Sequence, residues 1–263
     1  SKNRPTLEQR IKFWKKPKEV RMIVVKAGKR DIVNEAFRVL RTNFEFTIGT
    51  HPEQNVIVFT SFNPGSGKTH LASNMAMSLA IKKKKVLLID GDLRHGSTSM
   101  LIHSPGEGLS DYLNGRISDI HDILYKGEEN GLVKNFDMIP IGTIPPNPTE
   151  LLSTPLLEQM IQTMRQEYDY VFIDCPPIEV VADTPIYEQF ADRTIFVVRA
   201  GLMERSMLPE IDALYKEKKF KNMTLILNGT KARGGRYGSH YGYGYGYGYG
   251  YNYNKEKNGG AKS

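Results

Sequence analysis

The sequence predicts an α/β fold, a doubly wound and mainly parallel sheet with helices on both faces. Two observations carry that prediction. Apolar runs rich in β-branched residues at 56–60, 86–90, 170–174, 194–198 and 224–227 have the length and continuity of buried strands. Between them lie helical patterns of about 10–15 residues, and strands joined by such helices return parallel. A sheet of this kind gathers its ligands at the carboxyl ends of its strands. The first run opens into a Pro/Gly/Ser loop, and the next two in this series close on Asp90 and Asp174.

The 263 residues suffice for one α/β domain with flexible ends, and 40% hydrophobic content is that of a globular protein. No stretch approaches the roughly 18 apolar residues of a membrane span, and no signal-peptide pattern opens the chain. Ser1, with no Met, is the start expected of a segment cut from a longer chain. The single Cys175 excludes intramolecular disulfides and fits a reducing compartment. The net charge of +7 is segregated. Residues 1–30 hold eleven Lys and Arg against Glu8 and Glu19, residues 231–263 hold six against Glu256, and residues 31–230 are therefore −7. An acidic core with basic arms suits partners at its edges, not a uniformly nucleic-acid-binding surface.

These shifts divide the chain into a basic linker at 1–21, a folded domain at 22–230 and a tail at 231–263. The linker mixes Lys and Arg with Leu7, Ile11, Phe13 and Trp14. It fits a solvated linker and a juxtamembrane segment equally, because clustered cations gain about 1 kcal/mol each near an anionic leaflet. Residues 31–48 have helical spacing, with Ile32, Ala36, Val39 or Leu40, and Phe44 on an apolar face. Glu35, Arg38 and Arg41 follow one another at intervals of three along one stripe, which by spacing alone reads as ordinary surface pairing.

The strand Val56–Thr60 then breaks into Ser-Phe-Asn-Pro64-Gly65-Ser66-Gly67-Lys68-Thr69-His70 and a helix over 69–81, with Leu71, Met75 and Leu79 on one face. Strand, glycine loop, Gly-Lys-Thr and helix make up a P-loop. Its N–H groups cradle phosphate oxygens, the lysine reaches the β/γ-phosphates, and the threonine hydroxyl holds Mg²⁺. One residue departs from the pattern: Phe62 stands where the first glycine belongs.

After the basic turn 82–85, the strand Val86–Asp90 runs into Asp90-Gly-Asp92-Leu-Arg94. Short helices are expected at 109–113 and 117–124, a strand at 136–141, and a proline-stiffened connection at 144–152. Thr154 and Pro155 supply the N-cap and first position of a helix to Tyr168. The strand Tyr170–Asp174 leads into Cys175-Pro-Pro, followed by a strand at 194–198, a helix at about 206–215 and a strand at 224–227 ending at Asn228. From Arg233 the composition permits no packed core, so the tail is expected to be disordered. It holds Tyr237, Tyr241, Tyr243, Tyr245, Tyr247, Tyr249, Tyr251 and Tyr253, eight of the fourteen tyrosines.

Lys68, Asp90, Asp92 and Asp174 all fall at strand ends and can converge. Magnesium takes oxygen ligands from one or two carboxylates, substrate phosphates and water. Asp174 has the Walker-B position. Of Asp90 and Asp92, one can help hold the metal while the other accepts a proton from an incoming hydroxyl. Together with Gly67-Lys68-Thr69 they predict a site for a nucleoside triphosphate.

With the Ile144-Pro-Pro-Asn-Pro-Thr-Glu-Leu-Leu152 segment, Glu35-x-x-Arg38-x-x-Arg41 and the tyrosine cluster, these motifs resemble those of the bacterial tyrosine kinases over residues 25–253. Those kinases are the cytoplasmic domains of polysaccharide co-polymerases that govern capsule and exopolysaccharide chain length. The resemblance implies ATP and Mg²⁺ as cofactors. It implies phosphate and nucleotide contacts from residues 64–70, Walker A' roles for Asp90 and Asp92 with Asp90 the better general base, and metal binding by Thr69, Asp90, Asp92 and Asp174. It also implies adenine contact at Asn228, and a homo-oligomeric ring built through Glu35, Arg38 and Arg41. In that ring each tail tyrosine is offered to a neighbour's site. A membrane-anchored partner segment, in the same chain or separate, and a cognate tyrosine phosphatase follow too, with residence at the cytoplasmic face of the bacterial inner membrane. No nucleic acid is expected as a partner. Phosphorylating eight tyrosines would take the tail from +5 to about −7 to −11, enough to release it and disassemble the ring by repulsion.

Two other readings compete. A partitioning or septum-positioning ATPase would share the fold, but its signature loop lysine is missing, since Asn63 and Pro64 stand there. A nucleic-acid-binding ATPase would use Arg233-Gly-Gly-Arg236 and the Tyr/Gly repeat to stack on single strands.

Overall fold

The computed structural model describes residues 23–48, 53–179 and 183–230. The readings of the linker at 1–21 and of the tyrosine tail lie outside the described residues. Six strands, β1 (Val56–Ser61), β2 (Val86–Asp90), β3 (Phe136–Ile139), β4 (Tyr170–Asp174), β5 (Arg193–Arg199) and β6 (Thr224–Asn228), form one sheet in the order β3-β2-β4-β1-β5-β6. Every neighbouring pair is parallel. Strands β1 to β4 are buried at every position, which is why they read as unbroken apolar runs.

The two faces divide the side chains by the period of two. Ile57, Phe59, Leu88 and Phe172 look toward α1 (Ile32–Ile48) and α2 (Lys68–Ile81), with Phe44, Leu71, Met75 and Leu79 packed on them. Val58, Leu87, Ile89, Val171 and Ile173 look the other way, onto α3 (Leu109–Leu113), α4 (Pro148–Leu152) and α5 (Pro155–Glu167). A short α6 (Thr184–Glu188) precedes β5, and α7 (Leu208–Lys216) covers Phe196 through Ile211. Among the described residues no helix is long and apolar enough to cross a membrane.

Four local expectations are corrected. The buried face of α1 is Phe37, Phe44 and Ile48 with Asn34 and Arg41, whereas Ile32 is 82% and Val39 60% exposed. The aromatic rings carry more apolar area, and Phe44 meets Tyr170 and Phe172 at centroid distances of 5.6 and 5.7 Å, so this face turns inward. The connection 144–152 contains α4, because Pro148 has a preset φ and no needed N–H and starts a helix from its first position. Strand β3 stops at Ile139, where Pro140 cannot donate to the ladder. The expected helix at 117–124 is a single 3₁₀ turn, Ile120–Ile123, tied by His121.

His121 bridges Asp119 (Nδ1, 2.9 Å) and Glu167 at the end of α5 (Nε2, 3.0 Å). The hydrogen bonds to these carboxylates raise its pKa. A raised folded pKa gives stability that is fully present below the unfolded value and is lost as pH rises through the folded one. His121→Gln should therefore lower the thermal midpoint by about 1–2 °C at pH 6 and by less at pH 8.5. Thermal melts of both proteins across that range check it, and a constant difference would refute it.

Candidate phosphate and metal site

Between β1 and α2 the backbone must turn sharply while keeping its N–H groups free. Gly65 (φ 73°) and Gly67 (φ 93°) take left-handed conformations that a side chain would strain. At Gly67 an added Cβ would also stand 2.3 Å from the Asn228 side-chain nitrogen. The hydroxyls of Ser61 and Ser66 both donate to the Asn63 carbonyl at 2.8 Å and tighten the turn. Helix α2 begins at Lys68, with Leu71 N–H donating to the Gly67 carbonyl at 2.9 Å. The helix thus starts at the loop, with its positive dipole end toward a bound phosphate.

Strand register brings the acids together. β2 and β4 pair with Asp90 opposite Asp174, so two carboxylates lie side by side at buried strand ends. Asp174 Oδ2 accepts the hydroxyls of Thr69 and Thr98, each at 2.6 Å. Its Oδ1 is buried and has no hydrogen-bond partner among the described residues. Asp90 Oδ2 accepts the backbone N–H and hydroxyl of Ser99, both at 2.7 Å, and its Oδ1 takes the Asp92 N–H at 3.3 Å. Burial, reinforced by the Asp174 charge, pushes Asp90 up to about 7. Burial likewise raises Asp174, against the pull of Thr69, Thr98 and Lys68. Burial lowers the Lys68 pKa, against the pull of Asp174 and Asp92.

A cavity of 570 Å³ opens over these groups, lined by Pro64, Gly65, Gly67, Lys68, Thr69, His70, Asp92, Arg94, His95 and Asp174 among others. Asp90 lies beneath it, fully buried, and Asp92 is the second acid that faces the space. Asp92 accepts the N–H groups of Arg94 and His95 at 3.2 and 3.3 Å and stands 3.1 Å from His95 Nδ1. Arg94 reaches away to Asp183 (3.3 Å) and to Thr149 at the start of α4 (3.1 Å), linking the aspartate loop to the 144–152 segment.

The donors suit magnesium. The candidate ligand atoms are oxygens, and the orphaned Asp174 Oδ1 is the atom a hard cation would satisfy. Among the described residues no group of three or more His, Cys, Asp or Glu could hold a metal by itself.

Three of the expected residues have partners within the fold. Asn228 donates to the Ser66 carbonyl at 2.9 Å, so its amide holds the loop. Arg41 is buried against α2, donating to the Ser78 carbonyl and hydroxyl at 2.9 and 3.0 Å, and so does not share an outer stripe with Glu35 and Arg38. Arg38 pairs with Glu35 and with the Lys29 carbonyl. The sequence reasoning missed Thr98, Ser99 and Arg199. A signal existed for each: Thr98 and Ser99 form a hydroxyl run after the Gly96 turn, and Arg199 closes a strand at the ligand end of the sheet.

Fold and cradle together define a P-loop NTPase, and a family profile described as an AAA domain matches residues 54–202. Tyrosine-protein kinase CpsD of Streptococcus agalactiae is 33% identical over 208 residues, covering 78% of this chain and 87% of CpsD. Tyrosine-protein kinase wzc of Salmonella typhimurium is 37% identical over 195 residues, or 72% of this chain. The solved kinase domain of Escherichia coli tyrosine kinase ETK superposes with a TM-score of 0.68 at 32% identity, covering 81% of this chain and 80% of that one. The chain belongs to the bacterial tyrosine kinase family. It spans about a quarter of the longer relatives, 26% of wzc and 26% of AmsA from Erwinia amylovora.

Asp90 ionises in the unfolded chain near the usual carboxylate value and in the fold near 7. A raised carboxyl pKa means that the folded state binds the proton more tightly, so this group's stabilisation is present in acid and lost as pH climbs through about 7. Asparagine cannot ionise. In metal-free buffer, Asp90→Asn should gain on the wild type between pH 5 and 8, by on the order of a few kcal/mol at the upper end. Urea midpoints at both pH values measure it, and parallel curves would refute it.

Proposed function

We propose that this protein is an ATP-dependent tyrosine autokinase whose substrates are the tail tyrosines, Tyr237 through Tyr253. The observation that carries the reading is the cavity lined by Lys68, Thr69, Asp92 and Asp174 beneath a phosphate loop. The kinases among its relatives support it. The loop and Lys68 bind the β- and γ-phosphates of ATP, and Lys68 offsets the charge that develops as the bond to the leaving oxygen breaks. Magnesium, held by Thr69 and Asp174 with help from Asp92, would neutralise phosphate charge and orient the γ-phosphoryl group. The tyrosine oxygen attacks phosphorus and its proton passes to a carboxylate. Asp90 holds its proton up to about 7 and Asp92 has the open path, so the aspartate pair acts as a unit.

A neighbouring protomer supplies the tail, and Glu35 with Arg38 on the outer side of α1 forms part of the contact. Ile32, Val39 and Phe46 on that helix are 82%, 60% and 88% exposed, an apolar area that favours a partner. The complete protein works with a membrane-anchored co-polymerase segment at the cytoplasmic face of the inner membrane, and its phosphorylation state, reset by a tyrosine phosphatase, regulates capsule or exopolysaccharide export.

Incubation with ATP and Mg²⁺ should add a ladder of phosphates confined to 237–253, read by intact and peptide mass. Lys68→Met should abolish it. Hydrolysis with an unmodified tail would instead favour the partitioning-type ATPase. Separately, Val39→Glu with Phe46→Glu should lower the assembly mass measured by light scattering, and unchanged mass would remove α1 from the interface.

A further inference from the structure

The carboxyl ends of β5 and β6 each send one side chain to the phosphate loop, and both grip carbonyls of consecutive residues. Arg199 Nη1 donates to the Gly65 carbonyl at 2.7 Å, and Asn228 Nδ2 donates to the Ser66 carbonyl at 2.9 Å. The approach is tight at Asn228. An added Cβ at Gly67 would collide with the Asn228 nitrogen, and one at Gly229 would stand 3.4 Å from Arg199 Cγ. The Asn228 grip therefore rests on a glycine, while the Arg199 arm passes Gly229 at ordinary van der Waals distance.

A trans peptide points its C=O and N–H in opposite directions. Drawing the Gly65 and Ser66 carbonyls toward β5 and β6 turns the N–H groups of Ser66 and Gly67 away from those strands. Neither N–H has an acceptor among the described residues. They are the kind of donor an anion cradle requires.

We propose that Arg199 and Asn228 are positioning residues for phosphate: they fix two peptide planes of the loop so that its N–H groups already face the phosphate before it binds. The proposal rests on the nucleotide-binding reading above. A loop held in advance does not have to be ordered on binding, and its affinity rises accordingly. The two residues then act on the phosphates and are indifferent to the base, which separates this role from adenine contact at Asn228. Arg199 is an exposed side chain, so its loss leaves the core unchanged.

The test is calorimetric titration of the whole chain with ADP and, as a base-free probe, inorganic pyrophosphate, both with Mg²⁺. Arg199→Met and Asn228→Ala should each weaken ADP and pyrophosphate by the same factor, about tenfold, with unchanged thermal midpoints. Arg199→Lys, which keeps a donor, should recover most of the loss. A loss for ADP without a loss for pyrophosphate would overturn the proposal in favour of a base contact. A loss in Arg199→Met that 0.5 M salt abolishes would overturn it in favour of direct charge on the phosphate, and unchanged affinities would overturn it outright. If the wild type binds neither probe, the nucleotide reading itself falls, and the proposal with it.

Discussion

The site depends on one desolvated juxtaposition, Asp90 beside Asp174 at the ends of adjacent parallel strands. Two carboxylates so close and so buried cannot both ionise cheaply. Burial raises both, and hydrogen bonds to each oppose it. Asp90 is raised to about 7 by burial and the neighbouring Asp174 charge, against the hydrogen bonds it accepts from Ser99. Burial raises Asp174 as well, while two threonine hydroxyls and the nearby Lys68 pull the other way. Among the described residues one Asp174 oxygen is left without a hydrogen-bond partner, and a cation is what would complete the pair. Lys68 is half of that answer, and burial lowers its own pKa. Each charge in the cavity is thus held in place by a need of the others.

Such a centre is useful only if the phosphate loop cannot drift from it, and α2 supplies that restraint. The helix is buried nearly all round, with Ala72, Ser73, Ala76, Ser78 and Ala80 letting α1 and the sheet approach from both sides. Its polar side chains are consumed in fixing it. Asn74 Oδ1 accepts the N–H groups of Val24 and Val25 at 2.7 and 3.1 Å. Arg41 satisfies the Ser78 carbonyl, one of the orphan groups of the last helical turn. Position at the loop end therefore follows from packing along the whole helix.

Much of this was legible in the chain because buried parallel strands announce themselves. The runs at 86–90 and 170–174 coincide with the observed strands, and their terminal aspartates could be located at the ligand edge with no knowledge of register. The inner face of α1 was not legible. Apolar residues lie on two faces of it, and which one is buried depends on a packing partner far along the sequence. The hydroxyl run was visible but the role of Thr98 was not, for a related reason: a hydroxyl takes its meaning from its acceptor, and the acceptor of Thr98 is 76 residues away. Arg41 shows the reverse error, since an exposed-looking spacing concealed an inward cation.

Phe62 sharpens the point, because it is the residue that breaks the loop pattern. A glycine at the start of such a loop gives the turn freedom, which then has to be restrained elsewhere. Here the restraint is placed at that position. Phe62 packs against the cluster of Phe196, Ile211 and Phe220, so the loop leaves β1 on an apolar anchor. Backbone ties reinforce it, with Ile178 N–H donating to the Ser61 carbonyl at 2.9 Å and Glu179 N–H to that of Phe62 at 3.4 Å. The segment after Asp174 and the segment before Lys68 are thereby joined to each other. Anchored at Phe62, turned at Gly65 and Gly67 and continued into a buried helix, the loop needs flexible residues only where φ must be positive. A motif read as a string would count Phe62 against the site, while its packing makes it part of what holds the cradle still.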